Sequence, residues 1–329
     1  MEPFYRIIFK RSLALSWKHK WLWILGFFAA FIGNGSVYEA LLRSFNNFSD
    51  GQSLFATIKE YSQTGVLGLA SWSNLSSMWA KDASGIILPI MALLLFLCVL
   101  ALVISLGVIS QAGLIRSLVE LDKSKSVRTS LKSSWQIGVE RFWPVLEINV
   151  ITKVVFFGIL FLLAFIFSLF AGQNWIVYGI AMLIFVIIGI IIYFLTIYGT
   201  AFAVLRNKNA FHSLMLAWHL FRRNVVLNLE MGLLLFGMNI LVLLAAFAVL
   251  FIVLSPLFLI YLMFMFSSVA LGVTIMTGIM AAIAIVVMVL LGSWWSAFQL
   301  GAWAILFEDL VMKGGVSKIT RILRQVFRK

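Results

Sequence analysis

LVLLAAFAVLFIVLSPLFLIYLMFMF, residues 241–266, is the stretch that decides the fold. It sits inside a longer one, residues 231–307, in which nothing is charged. A helix crosses the hydrocarbon of a bilayer with about 20 apolar residues, so this stretch holds two long spans or three short ones. The whole chain has the same character. Of its 329 residues 63% are hydrophobic and 11% charged, against about 45–50% and about 25% in soluble domains. The mean hydropathy is +1.08. Those figures exclude a water-soluble enzyme, a nucleic-acid-binding module and a disordered chain. Nucleic acid is not an expected partner even at a net charge of +13, because the charge is dispersed among membrane anchors.

Outward from this stretch, apolar runs predict six spans near residues 21–42, 85–115, 144–171, 175–205, 231–254 and 271–306. Charge settles how they alternate. Lysine and arginine crowd segments 1–20, 116–143, 206–224 and 307–329, which together hold 21 of the 25. By the positive-inside rule these segments are cytoplasmic. Two spans in the last apolar stretch keep the basic tail with the other three, so both termini are expected inside. The first 33 residues also fit a secretory leader. Against that reading stand a long basic start and the recurrence of its pattern further along.

That pattern is Ser-Leu-x-x-(Ser/Ala)-Trp. It occurs as Ser12-Leu13-Ala14-Leu15-Ser16-Trp17, Ser130-Leu131-Lys132-Ser133-Ser134-Trp135 and Ser213-Leu214-Met215-Leu216-Ala217-Trp218. Basic residues follow each copy, among them Arg222 and Arg223, and then a span. Leu and Trp at i and i+4 share a helix face, as in a helix lying along the interface beside anionic lipid. The even spans end at matching glycines, Gly113, Gly199 and Gly301. The unit is thus interfacial helix, span out, span back, in parallel repeats over 1–115, 116–205 and 206–306. Residues 34–84 read as an external loop and 307–329 as a basic tail carrying a fourth amphipathic segment, 316–327. Residues 255–270 read as an external or re-entrant segment opened by Pro256. Among small residues in spans, Thr274 and Gly278 are the pair expected at a helix contact.

The arrangement resembles the membrane domain that precedes the catalytic domain in some glycerophosphodiester phosphodiesterases, and a loose group of bacterial membrane proteins around it. The resemblance implies a multi-helix domain in a bacterial inner membrane. The chain ends at Lys329 without a catalytic domain, so phosphodiesterase activity is not carried over.

Chemistry is sparse. His19, His212 and His219 all sit in basic segments, and Cys98 stands alone in an apolar run. No metal motif or nucleophile arrangement occurs, so neither cofactor nor enzymatic activity is expected. The polar residues inside spans are more informative, because charge in a bilayer normally faces a partner or a wet cavity. Glu147, Asn149 and Lys153 in the third span, Glu230 at the start of the fifth, and Gln111 and Gln299 near the ends of even spans predict a polar pocket open to the cytoplasm. Trp17, Trp135, Trp218, Arg222 and Arg223 are the expected lipid contacts. Two functions fit: a non-enzymatic protein that organises or handles lipids or membrane proteins, or a transporter using the pocket. Expected partners are anionic membrane lipids and a membrane protein or second copy.

Overall fold

The structure is a computed structural model, and it describes residues 4–32, 87–123, 129–170 and 175–313. Every regular element among them is a helix: α1 (Phe4–Lys18), α2 (Leu22–Ala30), α3 (Ile87–Lys123), α4 (Leu131–Glu140), α5 (Phe142–Phe170), α6 (Trp175–Leu205), α7 (Ala210–Arg223), α8 (Val225–Phe266) and α9 (Ala270–Lys313). Five of these (α3, α5, α6, α8 and α9) are long and apolar enough to cross a membrane. The protein is an all-α, multi-pass membrane protein. Of the expected first span the described part is α2, nine residues and about 14 Å of helix. The part of that span beyond residue 32, the loop 34–84 and the segment 316–327 lie outside the described residues.

One expectation is corrected. Residues 255–266 are not a separate outer segment, because α8 runs through Pro256 to Phe266. Proline removes the N–H that would bond the carbonyl four residues back. Here that carbonyl belongs to Ile252, and the Ser255 hydroxyl donates to it at 3.1 Å. Ser and Thr commonly repair proline-broken ladders in this way in membrane helices. The chain then reverses at once. Ser268 takes a left-handed φ of 58°, and the N–H groups of Ser267, Ser268 and Val269 close onto the last carbonyls of α8. At the start of α9, Gly272 stands where a Cβ would strike the Phe264 ring. Gly278, one of the two residues expected at a helix contact, has open space around it.

The helices share one packed end, here the base. There α3, α6 and α9 finish, α5 and α8 begin, and α1, α4 and α7 pack against them. Tyr198, Phe298, Phe307, Leu114, Leu118 and Ile148 are fully buried in it. Local sequence explains the short helices. Ser130 caps α4 through a reciprocal capping box with Ser133, and Asn207 at φ 54° turns the chain from α6 into α7. The far half differs. Leu95, Phe96, Phe251, Leu259, Met263 and Phe266 stand exposed there, which is stable only in an apolar solvent. At 1.5 Å per residue α8 and α9, with 42 and 44 residues, are roughly 63 and 66 Å long.

Candidate functional site

The Ser-Leu segments face the base with their small residues. Ser12, Ser16, Ser134, Ser213 and Ala217 are buried, whereas Trp17 and Trp218 are exposed and Trp135 is half-buried. The glycines of the returning helices explain why. A Cβ at Gly113 of α3 would collide with the Ser134 carbonyl of α4. One at Gly199 of α6 would lie 3.2 Å from Leu214 of α7, and one at Gly301 of α9 would lie 2.6 Å from the Ser12 hydroxyl of α1. That hydroxyl donates to the Phe298 carbonyl at 2.8 Å, and the Ser134 and Ser117 hydroxyls meet at 2.5 Å. Each returning helix thus receives the amphipathic helix that follows it in sequence, and the last receives the first. Arg222 and Arg223 are exposed at the end of α7.

Ion pairs close the base. Arg11 of α1 binds Asp122 at the end of α3, and Asp309 of α9 at 3.2 Å. Lys123 and Arg206 both reach Glu308, at 2.5 and 3.2 Å. Three carboxylates near helix C-termini oppose the helix dipole, and the cations offset them. Burial pulls the Arg11 guanidinium down, but Asp122 and Asp309 more than compensate and hold it above its ordinary value. Tyr5 of α1 donates to Glu230 of α8. Burial first, then that bond and charge, push the Tyr5 hydroxyl well above its ordinary range. It stays protonated as a donor.

Above the base, between the helices, lies a cavity of about 560 Å³. It is bounded by α2, α3, α5, α6, α8 and α9, whose walls there are mainly apolar, among them Ala29, Ile32, Ile190, Phe194, Leu233 and Phe236. The polar groups that the described residues bring to it are neutral: Gln111, Asn149, Thr196, Asn239, Ser296 and Gln299, with the phenol of Tyr193. Asn149 donates to Gln111 Oε1 at 3.1 Å and to the Val145 carbonyl at 2.9 Å. Trp295 donates to Asn239 Oδ1 at 2.8 Å, and Trp303 to the Tyr193 hydroxyl at 3.1 Å. The Oδ1 of Asn149 is buried and has no hydrogen-bond partner among the described residues.

The structure divides the six residues expected to form one pocket. Gln111, Asn149 and Gln299 come together in the cavity wall. Glu147, Lys153 and Glu230 do not line it: Glu147 is exposed, Lys153 half-buried, and Glu230 bound to Tyr5. For Glu147 the reason is plain. Glu147 lies two residues before Asn149, about 200° round the helix, so the two cannot share a face. Sequence reasoning passed over Asn239, Tyr193, Trp295 and Trp303. Asn239 carried a signal, as a lone amide in an otherwise apolar run. Among the described residues no grouping of three metal-ligating side chains occurs. No protein family, curated protein or solved structure matches the chain.

Proposed function

We propose that this is a non-enzymatic membrane protein that holds one lipid-like amphiphile between its helices. The observation that carries the reading is the cavity. Its volume falls within the range of about 300–1,000 Å³ usual for small-molecule sites. Its wall is apolar with a few neutral hydrogen-bonding groups, and among the described residues that line it Tyr193 alone is ionisable. That chemistry suits an aliphatic molecule with an uncharged head, and it counts against the transport of an ion. The test is native mass spectrometry of the chain released from mild detergent. One bound lipid per chain that survives detergent exchange is expected. A folded chain that carries none contradicts the reading.

The finer architecture belongs to the same proposal. Three parallel hairpin repeats ring the cavity, each closed at the base by the amphipathic helix of the next. The contacts of Gly113, Gly199 and Gly301 support this arrangement. The base faces the cytoplasm, in a bacterial inner membrane, because the basic segments that the structure describes gather there. Reporter fusions after Lys208 and after Lys329 should therefore read cytoplasmic, and one within residues 46–53 external. An external reading at Lys329 overturns the orientation. Arg222, Arg223 and the outward Trp218 suit anionic head groups, worth about 1 kcal/mol per basic residue near the surface. A peptide of residues 316–329 should become more helical on anionic than on neutral vesicles, and equal helicity on both removes that attraction.

A further inference from the structure

The lipid-binding reading leaves the polar part of the occupant open, and the cavity wall specifies it. We infer that the occupant is a neutral, ester-linked lipid, one of whose carbonyls accepts from the side-chain amide of Asn239. This rests on the proposed function above and deepens it.

Asn239 of α8 lies in the uncharged stretch 231–307, about 21 Å along the helix from Val225. Hydrocarbon offers a polar group no hydrogen bonds, so one placed there needs a partner. Half of this amide has one. The buried indole of Trp295 on α9 donates to Asn239 Oδ1 at 2.8 Å. An indole N–H only donates, so the oxygen faces it and the nitrogen occupies the other branch of the amide. That nitrogen bonds none of the described residues. The side chain is exposed and lines the cavity. Asn239 therefore brings two N–H donors to the wall and calls for an acceptor.

The acceptor is uncharged. A carboxylate or phosphate would be desolvated there, and no cation stands among the described residues that line the cavity. It is also a group that needs donors alone. Trp295 occupies the Asn239 oxygen, and Trp303 donates to the Tyr193 hydroxyl at 3.1 Å, so indoles already use acceptors of the wall. A carbonyl oxygen has two lone pairs and asks for nothing in return. Ser296 and Gln299, within about one turn of Trp295 on α9, line the cavity half-buried and can donate to the same ester region. The apolar wall, with Ile190, Leu233 and Phe236, takes the aliphatic chains.

The experiment measures binding of three probes to the full chain in detergent micelles: dioleoylglycerol, its dioleyl diether analogue without carbonyls, and dioleoylphosphatidate. Dioleoylglycerol should bind about tenfold more tightly than the diether, the value of one good hydrogen bond. Phosphatidate should bind more weakly than dioleoylglycerol. In Asn239→Leu the preference for diester over diether should fall to near one. If that variant fails to fold, Trp295→Phe/Asn239→Leu removes both partners of the bond together, which is the better tolerated change. Trp295→Phe alone keeps the donors of Asn239 and should keep the preference. Equal affinity of wild type for diester and diether overturns the carbonyl assignment, with lipid binding intact. A preference that survives in a folded Asn239→Leu chain overturns the role of Asn239, and a preference for phosphatidate overturns the neutral occupant. Failure of all three probes to bind a folded chain sinks the lipid-binding reading itself.

Discussion

The base and the far half of this bundle are built from the same apolar residues and hold together differently. In the base, Phe298, Phe307 and Tyr198 are buried, glycines bring backbones into contact, and carboxylates are paired with Arg11, Lys123 and Arg206. In the far half, Phe251, Leu259 and Phe266 stand exposed, and Gly278 meets nothing. The difference teaches where the specificity of a membrane fold resides. Lipid tails are as apolar as leucine, so exposed apolar surface exerts no pull between helices in a bilayer. What joins helices there is close approach, hydrogen bonds and ion pairs. The base has all three.

The comparison can be broken by paired substitutions, read as thermal unfolding of the detergent-solubilised chain. Phe298→Ala should produce the largest loss, about 3 kcal/mol, because it leaves a cavity among packed rings. Phe251→Ala, on the exposed face of α8, should change stability by less than about 0.5 kcal/mol. Equal losses at the two positions would mean that the far half is packed too. Gly113→Leu comes next, at about 2–3 kcal/mol, since its side chain meets the Ser134 backbone and cannot push it aside. Gly237→Leu and Gly278→Leu enter open space and should be silent. A silent Gly113→Leu would show that the amphipathic helices do not clasp the returning ones. Smaller again is Glu308→Gln, at about 1–2 kcal/mol, because Lys123 and Arg206 lose a charge yet remain reachable by water. Its effect should shrink in high salt. An effect that persists in salt would assign Glu308 a packing role instead.

How much of this was legible in the sequence depends on whether the signal was local. The apolar runs give an all-helical membrane protein, because backbone in lipid has few other options. The end of α8 was misplaced because a helix-breaking rule drawn from soluble proteins was applied to Pro256, whose lost bond Ser255 replaces. The Ser-Leu segments were recognised by their large residues, Leu and Trp, while the structure buries their small ones. Ser12 and Ser134 matter for the space they leave to Gly301 and Gly113 on other helices, and no periodicity reveals that. Nor does spacing reveal that Arg11 joins Asp122 to Asp309. In the cavity, Gln111, Asn149 and Gln299 stood out as amides in spans. The charged residues near them drew equal weight, although the helix turns Glu147 away from Asn149.

The most direct test of the central claim is to fill the cavity without disturbing the base. Gly292 lines it and has open space where a Cβ would go, so Gly292→Trp places an indole inside. Gly278→Trp, in open space on the same helix and outside the cavity wall, is its control. With both variants folded, native mass spectrometry should find the bound lipid on wild type and on Gly278→Trp, and lose it from Gly292→Trp. Lipid retained equally by all three would place it on the outer surface and contradict a cavity occupant.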